Sequence, residues 1–405
     1  MTSVPTPLPL DGVRVLDLSR LLPGPFASLL LADFGADVIK IEDLGPGDYV
    51  RAYPPYVEGV EETAKSSAFL ALNRNKRSIR IDLKTAEGRE ALLRLAEDAD
   101  VLLETFRPGV LDKLGVGYAA LKARNPRLVY CAISGYGQTG PMKHRAGHDL
   151  NYLSLSGVAA LNGVRDGAPV NGGVQIADVG GGALMGAIGI LTALRHAERT
   201  GEGQFVDVSM TDGALAWTAL EAGSALRGGE PTRGHGLLTG QHVCYRPYPC
   251  ADGYISVAGL EPKFWLAFCR GVDREDLIPH QFDPPESDAC AAVEAITRTR
   301  TRAEWAAFND EHDACIEPIW ELHEALETDL VREREMVVEL DQPGAVAPVR
   351  ALGIPIKLSA TPGDVHRRPA PSLGEHTEEI LGQLGYDHDQ ISAMIAAGGA
   401  AGPKP

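Results

Sequence analysis

Short apolar runs alternate with helix-length segments through the first 135 residues, and nothing else in the chain constrains the fold as much. Residues 13–18, 38–42, 77–83, 101–104 and 128–134 read as strands. Residues 25–34 and 86–99 carry helical periodicity, and a shorter helix falls around 111–114. Strands separated by helices of this length form βαβ units, so the expected class is α/β with a largely parallel, Rossmann-like sheet. Such sheets bind ligands beyond the carboxyl ends of the strands, where the strand order reverses. Thr105-Phe106-Arg107, Gly135 and the loop around His148 all follow strands and can converge there. No strand runs into a G-x-G-x-x-G turn, which leaves a nicotinamide or flavin site without its usual signature.

Beyond residue 150 the pattern changes. Residues 182–195 are apolar and helical, overlapping a charge-free stretch, 179–194, that is short for a membrane span and rich in glycine; a buried core helix is expected. A strand at 205–208 and a helix from Asp212 toward Gly223 follow. The glycine-rich stretch 227–240 reads as a linker, and 245–257 as a hairpin turning at Asp252-Gly253. With helices at 262–271 and 302–311, this predicts a second, smaller α+β domain over 226–334, with 1–225 and 335–405 flanking it. The tail is proline-rich with a helix near 377–384, and its last five residues read as frayed.

The formal net charge of −17 argues against non-specific binding to nucleic acid or an acidic membrane. An anionic ligand would need a local cluster of Lys and Arg. Six dispersed cysteines without a C-x-x-C pair fit no disulfide framework or zinc site, and a reducing cytoplasm is expected. The first residues lack the basic start and apolar core of a signal peptide.

Two runs carry candidate chemistry. Ala146-Gly147-His148-Asp149-Leu150-Asn151-Tyr152 places an imidazole in a glycine turn beside a carboxylate and a phenol. Gln175-Ile176-Ala177-Asp178-Val179-Gly180-Gly181-Gly182 places a carboxylate at a glycine-rich helix start, where unpaired amides and the helix dipole favour its charge. Taken alone, His148 reads as a hydrogen-bonded structural histidine, Asp178 as a helix cap and Asp149 as a loop residue bonding its own backbone. Converging on one pocket, His148 and Asp178 form an acid–base pair.

Nearly the whole chain, from Leu10 to Leu384, resembles the family III CoA-transferases (the CaiB/BaiF type), and among them the α-methylacyl-CoA racemases. The blocks that carry the resemblance run from Gly24-Pro25-Phe26-Ala27 and Phe34-Gly35-Ala36-Asp37-Val38-Ile39-Lys40-Ile41-Glu42 through Asn73 to Lys84, Glu104-Thr105-Phe106-Arg107-Pro108-Gly109 and Ser134-Gly135-Tyr136-Gly137. They continue through Gly147-His148-Asp149-Leu150-Asn151-Tyr152, Ala177-Asp178, Ala258-Gly259-Leu260-Glu261-Pro262, Asp313-Ala314-Cys315 and Gly374-Glu375-His376-Thr377. The resemblance implies that 1–225 and 335–405 form one large domain. It implies an isomerase in which His148 and Asp178 carry protons and Glu261 supports the histidine. It assigns the CoA pocket to Ile81, Asp82, Leu83, Lys84, Thr105, Phe106, Arg107 and Lys113. Gly147, Asp149, Asn151 and Tyr152 then shape the thioester end, with amides of that loop or of Gly180–Gly182 facing the enolate oxygen. Leu238, Tyr245 and Phe264 are candidates for the acyl pocket. No cofactor is implied beyond the CoA moiety of the substrate, and the partner implied is a second copy of the chain in an interlocked, ring-like homodimer. Relatives often carry an arginine where this chain has Asp43, so either that nucleotide contact is lost or another cation, such as Arg51, replaces it. Transferases of the same superfamily use the aspartate as a nucleophile, which remains an alternative, as does a CoA-binding protein without catalysis.

Overall fold

A computed structural model describes residues 7–404. The chain divides into two compact units. The first comprises 7–156, 174–217 and 333–404, and the second 157–173 and 218–332. The sequence reading set the first boundary at 225/226; the division falls at 217/218 instead, and residues 157–173 go with the second unit.

The first unit is built on a seven-stranded sheet. Its strands are β1 (Arg14–Asp17), β2 (Asp37–Glu42), β3 (Lys76–Ile81), β4 (Val101–Glu104), β5 (Val129–Ser134) and β6 (Phe205–Ser209), with a short edge strand at Ala400–Ala401. The order is Ala400–Ala401, β3, β2, β1, β4, β5, β6, and all pairings but the edge strand's are parallel. β3, β4 and β5 are buried at every residue, as strands covered on both faces must be. The order reverses between β1 and β4, so a crevice opens beyond their carboxyl ends, where 18–21 and 105–107 emerge.

The helices cover the two faces for local reasons. Pro23–Asp33 starts on two prolines, whose fixed φ suits a first turn, and is buried along nearly its whole length. In Ala86–Glu97 the Thr85 side chain caps the Gly88 amide while Ala91, Leu92, Leu95 and Ala96 face the core. The 182–195 helix proves longer. Helical backbone begins as a π-helical segment, Ile176–Leu184, and continues as Met185–Thr200, closed by Gly201 at φ 78°. By length and composition Ile176–Thr200 could cross a membrane, yet half of it is buried inside the fold. The expected buried core helix packs through Gly186, Ala187, Ile190, Ala193, Leu194 and Ala197, while Ile188 and Leu191 are exposed. The helix from Asp212 is two pieces, Met210–Ala216 and Ala219–Ala225. The tail is not frayed. Ala400–Ala401 pair with β3, Arg80 donates to the Gly402 carbonyl, and the Lys404 amide donates to Leu373; Pro405 lies outside the described residues.

The second unit holds an antiparallel sheet of Tyr245–Cys250, Gly253–Ala258 and Ile316–Pro318. Trp265, Phe268, Trp305 and Phe308 pack beneath it as an aromatic core.

The ends of β1, β2 and β3 in the first unit carry buried charge. Lys40 pairs with Asp48 at 2.9 Å, Lys76 with Asp17 at 3.3 Å, Arg51 with Glu42 at 2.7 Å and Arg74 with Asp33 at 2.6 Å. Every one of these side chains is at most 4% exposed. Asn73 to Arg77, a basic run whose composition alone would suit a solvated face, is thus interior. Burial would raise the Glu42 carboxyl, but the bidentate Arg51 outweighs it and holds the pKa at about 2. Arg51→Met would strand that carboxylate, and it is expected to cost roughly 3 kcal/mol in denaturant unfolding at neutral pH. Glu42's folded pKa lies below its ordinary 4.5, so its stabilisation is full above pH 4.5 and is lost as pH falls toward 2. The Met variant loses this acid-side slope.

Candidate active site

Two cavities open beyond the carboxyl ends of the sheet, and Phe106 lines both. The first, of about 490 Å³, is walled by Ile81, the last residue of β3, and Asp82, Leu83 and Lys84 after it, and Arg20 and Asp43 also line it. The second, of about 380 Å³, gathers Thr105, Phe106, Arg107, Gly147, His148, Asn151 and Tyr152. Lys143 and Arg145 join it, and none of its lining residues is Asp or Glu. In a chain of net charge −17 this is the local cationic surface an anionic ligand requires. The buried Ser134 hydroxyl at the end of β5 also lines it and has no hydrogen-bond partner among the described residues.

The loop is built to present His148. His148 precedes the helix Asp149–Leu155 in an extended conformation, its amide held by the Asn151 side chain at 3.0 Å. Its carbonyl accepts from the Asn151 and Tyr152 amides. The Tyr152 hydroxyl donates to the Gly147 carbonyl, and its ring fills the space a Cβ on Gly135 or Gly147 would take, at 2.4 and 2.6 Å. Tyr152 therefore fastens the loop from below, and burial pushes its phenol far above the ordinary range. The imidazole itself is exposed to the cavity.

Asp178 stands in the first turn of the π-helical segment, half-buried. Asp149, read from sequence as bonding its own backbone, instead reaches across to the second run. One of its oxygens accepts from the Ala177 amide at 2.7 Å and the Asp178 amide at 3.0 Å. A side chain of the histidine loop thus caps the helix that carries the aspartate, which fixes the two runs against each other. Burial, and next the Asp149 charge, push the Asp178 carboxyl up to about 6, with His148 opposing.

Other expected residues fall elsewhere. Lys113 is exposed and lines neither cavity. Gly180, Gly181 and Gly182 are committed to packing: a Cβ would meet the Trp217 ring at 2.6 Å, the Met210 carbonyl at 2.6 Å and the Met210 side chain at 2.9 Å respectively. They serve close approach. Arg51 is buried on Glu42 and over the Phe69 ring, so it does not replace a cation at Asp43. Glu261 belongs to the second unit, exposed just before the helix Pro262–Gly271.

Three residues went unread in the sequence. Lys143 and Arg145 flank His144 in a basic triplet just before the loop, a signal that was available. Glu104 gave none: it reads as the last residue of a strand. Its carboxylate accepts from the Phe106 amide at 2.6 Å, bending the chain into the cavity, and burial without a cation pushes it up to about 8.

Comparison with known proteins gives the family and the fold. The family described as CoA-transferase family III matches residues 10–377. The α-methylacyl-CoA racemase of Homo sapiens is 37% identical over 392 residues, covering 94% of this chain and 95% of that one. The succinyl-CoA:mesaconate CoA-transferase of Haloarcula hispanica is 36% identical over 389 residues, covering 93% and 96%. The crystal structure of a CaiB/BaiF family protein from Brucella suis superposes with a TM-score of 0.81 at 33% identity, covering 94% of this chain and all of that one. A reversed parallel sheet, a cationic crevice and a coupled His–Asp pair therefore stand on a chain that belongs to CoA-transferase family III.

Proposed function

We propose that this chain is an acyl-CoA racemase (epimerase) that inverts the α-carbon of a 2-methylacyl-CoA thioester by two-base proton transfer. The observation that carries this reading is the coupling of His148 and Asp178 through Asp149, with the Asp178 carboxyl lifted to about 6. A carboxyl so placed is ionised often enough to accept a proton at neutral pH and protonated often enough to return one. One base takes the α-proton from one face, the electron pair moves onto the thioester oxygen, and the other acid delivers a proton to the opposite face. The bases then carry each other's starting state. The Asn151 and Tyr152 amides are spent on His148, so the amides of Asp149 and Leu150, first in their helix, are the donors for the enolate oxygen. Arg107, Lys143 and Arg145 meet the phosphates of CoA.

The second reading is a CoA-transferase, favoured by the near-equal identity to the archaeal enzyme. There the Asp178 carboxylate attacks the thioester carbonyl and CoA leaves as thiolate. The thiolate then attacks the Asp178 carbonyl of the mixed anhydride, giving an aspartyl-CoA thioester and releasing the first acid. The deciding experiment incubates one epimer of a 2-methylacyl-CoA in D2O, with a free carboxylic acid in a parallel sample. Deuterium at the α-carbon with loss of chirality, and no CoA on the acid, is the expected result. CoA transfer without α-exchange would replace the racemase with the transferase.

A further inference from the structure

The cavity at the ends of β1, β2 and β3 differs from its neighbour in charge. Asp43, the residue after β2, pairs with Arg20 at 2.6 Å through one oxygen. Its other oxygen accepts from the amides of Gly45 at 2.9 Å and Gly47 at 3.3 Å. Arg20 further donates to the Tyr49 hydroxyl at 3.3 Å. The remaining charged groups of this cavity are Lys84, Asp82 and Glu42, and Glu42 is committed to Arg51. Two cations thus face two carboxylates, and the cation nearest Asp43 is already paired. The cations without carboxylates sit in the other cavity, at Arg107, Lys143 and Arg145.

A carboxylate just past the second strand of a parallel sheet is an acceptor suited to ribose hydroxyls, and it repels a phosphate on the same sugar. We infer that the nucleotide end of the substrate is held through the ribose 2′-hydroxyl at Asp43, on the acceptor site that Arg20, Gly45 and Gly47 leave open, and that thioesters of 3′-dephospho-CoA are taken as readily as those of CoA. The inference rests on the acyl-CoA reading above and narrows its substrate class. A 3′-phosphate seated here would have to compete with Asp43 for Arg20 and would gain little.

The test is calorimetric titration of the full chain with 2-methylbutyryl-CoA and its 3′-dephospho counterpart. The wild type is expected to bind the two within about threefold, and Asp43→Asn, which frees Arg20, to favour the 3′-phosphorylated thioester by roughly tenfold. The asparagine amide oxygen still accepts from Gly45 and Gly47, and the wild-type ratio needs no variant at all. A wild-type preference of about tenfold or more for the 3′-phosphate, unchanged in Asp43→Asn, would overturn the inference while leaving the acyl-CoA reading in place. Binding of neither thioester would overturn both.

Discussion

Asp178→Asn is expected to lower racemisation by roughly 10²–10⁴-fold in both directions, the range typical of losing a positioned acid–base group. The substitution keeps size and amide-accepting geometry, so the Asp149 contacts to the Ala177 and Asp178 amides persist, and affinity for the thioester is expected to hold within about threefold. The activity of the wild type should also report this carboxyl. The direction in which Asp178 must be ionised is expected to fall as pH drops through about 6, because protonation removes the base. Asp149→Asn sharpens the assignment. It removes the like charge that helps raise Asp178 while keeping an oxygen for the two amides, so the acid limb should move to lower pH. A profile that stays in place would assign the limb to another group.

The parallel sheet was most legible where strands buried on both faces read as apolar runs, as in β4 and β5; β4 was read to the residue. Helix starts were legible where a cap or proline marks them, as at Thr85 and Pro262. What hid were features set by distant partners. Asn73 to Arg77 looks like surface until Asp17 and Asp33 are brought from residues 40 to 60 positions earlier to neutralise it. The tail looks frayed until β3 offers an edge. Asp178 and His148 were legible as candidates from their glycine context, but the carboxylate that ties them together was not. Asp149 reads as a local turn former, and only the fold shows that its acceptors' donors lie 28 and 29 residues away. The same holds for Gly180 to Gly182, whose spacing suits an anion nest and whose neighbours show a packing seam.

His148→Ala separates the two reactions this family of folds supports. In a two-base racemase its loss is expected to lower inversion by roughly 10²–10⁴-fold, since no group remains to serve the face that the imidazole served. Asp178 is left intact, so one epimer, the one whose α-proton points at the carboxylate, should still exchange that proton for deuterium without inverting. The other epimer should do neither. This one-sided exchange follows from one base per face and from nothing else in the site. The substitution removes no packing that holds the loop, because the His148 amide and carbonyl make the contacts to Asn151 and Tyr152, and the ring lies open to the cavity. A transferase gives the opposite pattern: with Asp178 as nucleophile, CoA transfer in His148→Ala would stay within about tenfold of wild type and no α-deuterium would appear in either epimer. Following both epimers by NMR in D2O therefore assigns the face each base serves as well as the reaction.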